Sequence, residues 1–134
     1  MKVLISGIAG HMGREVLAQL QNETVCGVDP AGCEFSGVPC APSFDRADAD
    51  VDCIIDFSHH SNTADLLAFA VKHRLPLVLA TTGQTDEEKQ QISAAAKQIP
   101  LFFVANYSIG VVLLIELAKK AAAALPEATK RMLR

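Results

Sequence analysis

The stretch Val3-Leu4-Ile5-Ser6-Gly7-Ile8-Ala9-Gly10-His11-Met12-Gly13-Arg14 passes from an apolar run through spaced glycines into a helix-forming segment. It reads as a strand, a turn and a helix start. Glycines at 7, 10 and 13 have the phase of the dinucleotide fingerprint, with Ala9 where the usual G-x-G has its second glycine. Gly7 lets the chain turn sharply off the strand through angles that a side chain resists, and Gly10 leaves room for a pyrophosphate to approach the main chain. Gly13 lets the helix pack close to the strands. The unpaired N–H groups of the first helical turn, with the positive end of the helix dipole behind them, then form an anion site made of backbone.

A glycine pattern alone also serves ordinary strand-turn-helix junctions, so the next element carries weight. After a helix over about His11–Gln21, Thr24-Val25-Cys26-Gly27-Val28-Asp29 reads as a second strand whose last residue is acidic and lies 19 positions beyond Gly10. An acid at that distance, at the tip of the second strand, is placed to accept hydrogen bonds from an adenosine ribose. Asp29-Pro30 is also a dipeptide that opens turns. The acid in phase with the glycines favours the ribose role.

Residues 30–50 are polar and rich in Pro and Gly, which predicts a loop on the adenine side with at most a short helical piece near Ser43–Ala49. Asp52–Phe57 reads as a buried third strand, followed by the capping cluster Ser58-His59-His60-Ser61-Asn62 and a helix over about Asn62–His73. Leu75–Ala80 is a fourth strand ended by Thr81-Thr82-Gly83; Thr85 with Asp86, Glu87 and Glu88 caps a helix to about Gln98; Leu101–Val104 is a fifth strand. Short apolar strands alternating with helices predict an α/β fold, a Rossmann-type doubly wound parallel sheet in a three-layer αβα arrangement.

Composition narrows the function classes. The 134 residues suit one core, and a net charge of −3 with mixed signs offers no basic patch for nucleic acid. No apolar run reaches bilayer-spanning length and the N-terminus lacks signal-peptide regions, so the expected setting is cytoplasmic, without a membrane partner. Cys26, Cys33, Cys40 and Cys53 lie 7, 7 and 13 apart, which matches no metal or redox spacing and reads as reduced structural thiols, with no metal site.

Ligands of such sheets sit beyond the carboxyl ends of the strands. The third strand ends at Phe57-Ser58, the fourth at Ala80-Thr81-Thr82-Gly83 and the fifth at Val104-Ala105-Asn106-Tyr107-Ser108. Small polar residues and backbone donors at these tips would line a path for a nicotinamide ribose, with Phe57 and Tyr107 as flat apolar surfaces beside it.

At these residues the chain resembles the 4-hydroxy-tetrahydrodipicolinate reductase (dihydrodipicolinate reductase) family of the diaminopimelate route to lysine. The resemblance rests on Gly7-Ile8-Ala9-Gly10-His11-Met12-Gly13, Asp56-Phe57-Ser58, Ala80-Thr81-Thr82-Gly83 and Ala105-Asn106-Tyr107-Ser108-Ile109-Gly110-Val111, in that order, and spans residues 1 to about 125. It implies a domain that binds NADH or NADPH, with cofactor contacts at Gly7, Ile8, Ala9, Gly10, His11, Met12, Asp29, Ala80, Thr81, Thr82, Val104, Ala105, Asn106 and Tyr107. It also implies hydride transfer to a cyclic dicarboxylate imine, and a homo-oligomer. With Asp29 at the ribose and no cation beside it, NADH is the preferred cofactor and NADPH the second.

Two departures stand out. His11 occupies a place where the family commonly has arginine, and a protonated His would replace its charge only in part. The family's C-terminal substrate domain, with its paired histidines, lysine and D-A-P-S-G-T, has no counterpart here. His59-His60 imitates that pair but follows the third strand and reads as an exposed cap, so no catalytic residue is assigned. The expected organisation is a nucleotide domain over 1–125 and a short charged tail over 126–134. The helix from Ile109 to Leu125 is apolar on too many faces for a surface helix and is expected to be covered on several sides or to self-associate. Two functions follow: the cofactor domain of a reductase, incomplete for catalysis as this chain, or a non-catalytic NAD- or CoA-responsive binding module.

Overall fold

In the computed structural model of the chain, the described residues are 1–32, 37–104 and 108–124. Their strands are β1 (Lys2–Ser6), β2 (Thr24–Val28), β3 (Cys40–Ala41), β4 (Cys53–Asp56), β5 (Leu77–Leu79) and β6 (Leu101–Phe103). These form one sheet in the order β3-β2-β1-β4-β5-β6, with every pairing parallel. The helices are α1 (His11–Gln19), α2 (Thr63–His73), α3 (Asp86–Ala95) and α4 (Ile109–Ala124), with 3-10 turns at Phe44–Arg46 and His60–Asn62. The chain winds outward from β1 to β3, returns to β4 beside β1, and winds outward again to β6. This reversal opens a crevice between the carboxyl ends of β1 and β4.

The period of two along each strand sends alternate residues to opposite faces. Leu4, Cys26, Ile54 and Leu77 lie in register across β1, β2, β4 and β5. They share one buried core with Leu66, Phe69 and Ala70 of α2 and Ile92 and Ala95 of α3. Val3, Ile5 and Val25 face the other way and pack with Ile8 against Val16, Leu17 and Leu20 at α1. The expected doubly wound class is thus what the chain forms.

Several expectations are corrected. The stretch read as loop contains a sixth strand, β3, of two residues. It is too short to leave an alternating pattern, and main-chain bonds of Gly27 N–H to Pro39 O at 2.8 Å and Asp29 N–H to Ala41 O at 3.0 Å hold it to β2. Cys26 and Cys53 are free thiols, with burial raising the Cys26 pKa. Cys40, however, is disulfide-bonded, a pairing that spacing rules cannot deduce. The helix expected to be covered, α4, is not: Ile109 is 87% exposed and Leu114 66%. Hydrophobicity calls for cover, and no described element supplies a facing surface. The tail at 126–134 and the end of that helix lie outside the described residues. None of the described helices is long and apolar enough to cross a membrane.

Candidate functional site

The glycine turn is built as its steric requirements demand. Gly7 has φ of +76°, and a Cβ there would lie 2.7 Å from both the main-chain N and Cα of Ser58. It therefore serves two needs, a left-handed turn off β1 and close contact with the tip of β4. A Cβ on Gly13 would lie 2.2 Å from the carbonyl oxygen of Gly7 and 2.7 Å from Cα of Ile8, so this glycine lets α1 sit directly on the turn. Gly10 differs. A Cβ there would meet only the Gly7 carbonyl oxygen, at 3.2 Å. A shift of that oxygen by a few tenths of an ångström would admit a side chain at 10, and Gly10 lines the crevice.

Gly10 is the N-cap of α1 and provides no side-chain cap, so the first-turn N–H groups receive no side-chain oxygen from it. Asp29 follows β2 beside them. Its Oδ2 accepts from Ala9 N–H at 2.9 Å and its Oδ1 from Ala31 N–H at 2.9 Å. One carboxylate thus ties the glycine turn to the turn after β2, and each oxygen retains a lone pair for a hydroxyl. The crevice holds about 520 Å³ and is lined by Gly7, Gly10, Asp29, Phe57, Ser58 and Phe44, among others. That volume is within the range of small-molecule sites. Among the described residues its lining includes two acids, Asp29 and Asp65, and His59, but neither lysine nor arginine.

Of the residues assigned from sequence, Gly7, Gly10, Asp29 and Phe57 come together in this crevice. Ile8 does not: its side chain is fully buried in the α1-side core, leaving only main chain at the turn. Ala9 turns its N–H toward Asp29. His11 and Met12 are exposed on the first turn of α1. At the tip of β5, Ala80 and Thr81 are buried and Thr82 is exposed. The Thr81 hydroxyl donates to Asp56, so it is used inside the protein. Val104 is half-buried after β6; Ala105, Asn106 and Tyr107 lie outside the described residues.

Ser58, read from sequence as a strand-tip residue, lines the crevice; Asp56, present in the sequence only as part of a family motif, and Phe44 and Asp65 carry roles that sequence reasoning missed. Asp56 left a signal, an acid two places after Ile54 and therefore on a core-facing position. Phe44 stacks on Phe69 with ring centroids 5.5 Å apart, and it lay in a stretch without periodicity. His59 behaves as expected for a cap, its Nδ1 accepting from Ser61 N–H at 3.3 Å. His60 does more. Its Nδ1 lies 3.2 and 3.1 Å from the two carboxylate oxygens of Glu88, which also accepts from Thr85 N–H at 2.7 Å within the α3 capping box. The bond from Thr85 and, secondarily, that with His60 hold the Glu88 pKa below its ordinary value.

Reversed strand order, a glycine turn opening into a helix and an acid at the second strand tip define a class: a doubly wound nucleotide-type α/β domain. Residues 1–107 match the family model described as dihydrodipicolinate reductase, N-terminus. The chain belongs to that family. It is 42% identical over 123 residues to 4-hydroxy-tetrahydrodipicolinate reductase of Akkermansia muciniphila and 36% identical over 127 residues to that of Caldanaerobacter subterraneus. These alignments take in 91% of this chain in each case, but 47% and 50% of the relatives. The chain therefore spans about half the length of the curated relatives it matches. Among solved structures, a dipicolinate-bound dihydrodipicolinate reductase from Paenisporosarcina sp. shares the fold, with a TM-score of 0.70 at 22% identity over 92% of this chain and 54% of that one. Aspartate dehydrogenase from Thermotoga maritima does so with a TM-score of 0.62 at 19% identity over 76% and 43%.

Proposed function

We propose that this chain is the NADH-binding part of a reductase acting on 4-hydroxy-tetrahydrodipicolinate, the compound named in its curated relatives. The observation that carries the reading is the contrast among the three glycines. Gly7 and Gly13 are required by neighbouring backbone at 2.2–2.9 Å, whereas a Cβ on Gly10 would meet only the Gly7 carbonyl oxygen, at 3.2 Å, at a helix start without a side-chain cap. A diphosphate fits that place, receiving N–H groups from the first turn of α1. Asp29 would accept from the adenosine ribose hydroxyls, and Phe57 and Ser58 would border the passage toward the tips of β5 and β6. The nicotinamide, when bound, supplies the hydride; the chain's own residues bind and orient it.

Selectivity for NADH over NADPH follows from charge. A 2′-phosphate would meet the Asp29 carboxylate, with Pro30 as its other neighbour, and the mismatch should cost on the order of 1–3 kcal/mol. Calorimetric titration of both cofactors tests this, and equal affinities would remove Asp29 from the ribose.

Catalysis asks for more than this site contains. Holding the acceptor carbon against the nicotinamide is worth roughly 7–11 kcal/mol of barrier, and a positioned acid a further 10²–10⁴-fold in rate. Among the described crevice residues there is no cationic pair for two substrate carboxylates. Residues 1–134 alone should therefore bind NADH without turnover. Loss of NADH absorbance with freshly generated substrate, measured beside a full-length relative, checks this; a rate within about tenfold of that control would assign chemistry to this half. The cytoplasm, where NADH and a soluble biosynthetic substrate meet, is the proposed setting, and α4 is the proposed place for self-association.

A further inference from the structure

Asp56 is the last residue of β4 and is 1% exposed, on a core-facing position beside Ser6 and Leu79 in the strand register. A leucine would fill such a position at less cost, because taking a carboxylate out of water is expensive unless its oxygens are well bonded. The bonds it makes are specific. Oδ1 accepts from the Ser58 hydroxyl at 2.6 Å and the Ser58 N–H at 3.3 Å, while Oδ2 accepts from the Thr81 hydroxyl. Thr81 is also held by Gln84, itself buried, whose Nε2 donates to the Thr81 carbonyl at 2.8 Å.

One carboxylate thus fastens two neighbouring strand tips. Ser58 lines the crevice and backs directly onto Gly7, and Thr81 opens the segment after β5. Strand register alone does not place Ser58 and Thr81, since ladder pairing ends at Asp56 and Leu79. Beyond that point one main-chain bond, Ala80 N–H to Asp56 O at 3.0 Å, and the Ser58–Asp56–Thr81–Gln84 chain of side-chain hydrogen bonds join the two tips, and only the latter reaches Ser58 and Thr81.

We propose that Asp56 is a positioning residue for the nicotinamide half of the cofactor, holding the tips of β4 and β5 at the spacing that this half requires. The proposal rests on the pyridine-nucleotide reading above. The adenosine half, which depends on Gly10 and Asp29, should be largely indifferent to Asp56. ADP, which carries the adenosine and the diphosphate but no nicotinamide, separates the two halves.

The experiment measures dissociation constants of ADP and NADH for the 134-residue chain and for Asp56→Leu and Asp56→Asn, with thermal melts alongside. Asp56→Leu should remain folded, bind ADP within about twofold of the parent and bind NADH at least about tenfold more weakly. Asp56→Asn keeps one acceptor oxygen and should fall between the two, a partial rescue that mere space-filling would not give. Should Asp56→Leu fail to fold, Asp56→Asn alone decides, by a several-fold loss for NADH with ADP unchanged. Parallel losses for ADP and NADH, or unchanged NADH binding in a folded variant, would overturn the positioning role. A parent chain that bound ADP but not NADH, or neither, would instead overturn the pyridine-nucleotide reading, and the positioning role with it.

Discussion

The two halves of the crevice are built by different means. On the β1–β2 side the shape comes from missing side chains: Gly7 and Gly13 are glycines because backbone occupies the space a Cβ would need. On the β4–β5 side the shape comes from side chains that are present, with a buried acid holding two hydroxyl groups. At Gly7 and Gly13 the fold of the first half tolerates almost no addition, and the second half tolerates almost no removal. A backbone-built phosphate turn is also legible in sequence, whereas a polar tie across 25 residues becomes visible only when strand register brings its members together.

The largest effect expected from this contrast is at Gly13. Gly13→Val would drive a side chain into the Gly7 carbonyl and Ile8, with no flexible atom able to yield. Loss of stability of about 3 kcal/mol or more is expected, at the upper end of overpacking. Chemical denaturation measures it; a variant as stable as the parent would mean that α1 does not sit on the turn.

A smaller effect is expected at Asp29, whose carboxylate ties the glycine turn to the turn after β2. Asp29→Asn retains an oxygen for one N–H but loses the charge and presents an amide to Ala9 or Ala31, which now donate to a carboxylate. NADH affinity should fall about five- to tenfold, on the scale of a charge-assisted hydrogen bond, and the preference over NADPH should narrow. An unchanged preference would show that Asp29 discriminates nothing.

The smallest effect concerns Glu88, which links the β4–α2 turn to the start of α3 through His60 and Thr85. Its pKa is lowered in the folded chain, so its contribution to stability is present above the unfolded carboxylate pKa and is lost as pH falls through the lower, folded value. Between about pH 5 and pH 3 the parent should therefore lose more stability than Glu88→Gln. Identical pH profiles would mean that the bonds of Glu88 to Thr85 and His60 do not hold these segments together.

Particular residues show why legibility divided as it did. β1, α1 and Asp29 were readable because glycine spacing and an acid at a strand tip are local signals. Strand β4 is legible from its apolar run, whereas Asp56 within it reads as part of a family motif until strand register places it on the core face. The resemblance implies a contact at Ile8, and the period of two from Val3 and Ile5 ends before the turn, so the burial of the Ile8 side chain leaves no signal in sequence. Strand β3 is two residues long and left no pattern. The hydrophobicity of α4 was legible and its exposure was not, because apolar character states a need for cover without stating what meets it.

The central claim is that Gly10 is glycine for the cofactor and not for the fold. It is tested most directly by NADH calorimetry on the parent chain and on Gly10→Val, each with a denaturation curve. The account predicts saturable binding at one site by the parent, at least about a hundredfold weaker binding by the variant, and a stability difference of about 1 kcal/mol or less. Undiminished affinity in Gly10→Val, or a variant that loses its fold together with its affinity, would contradict it.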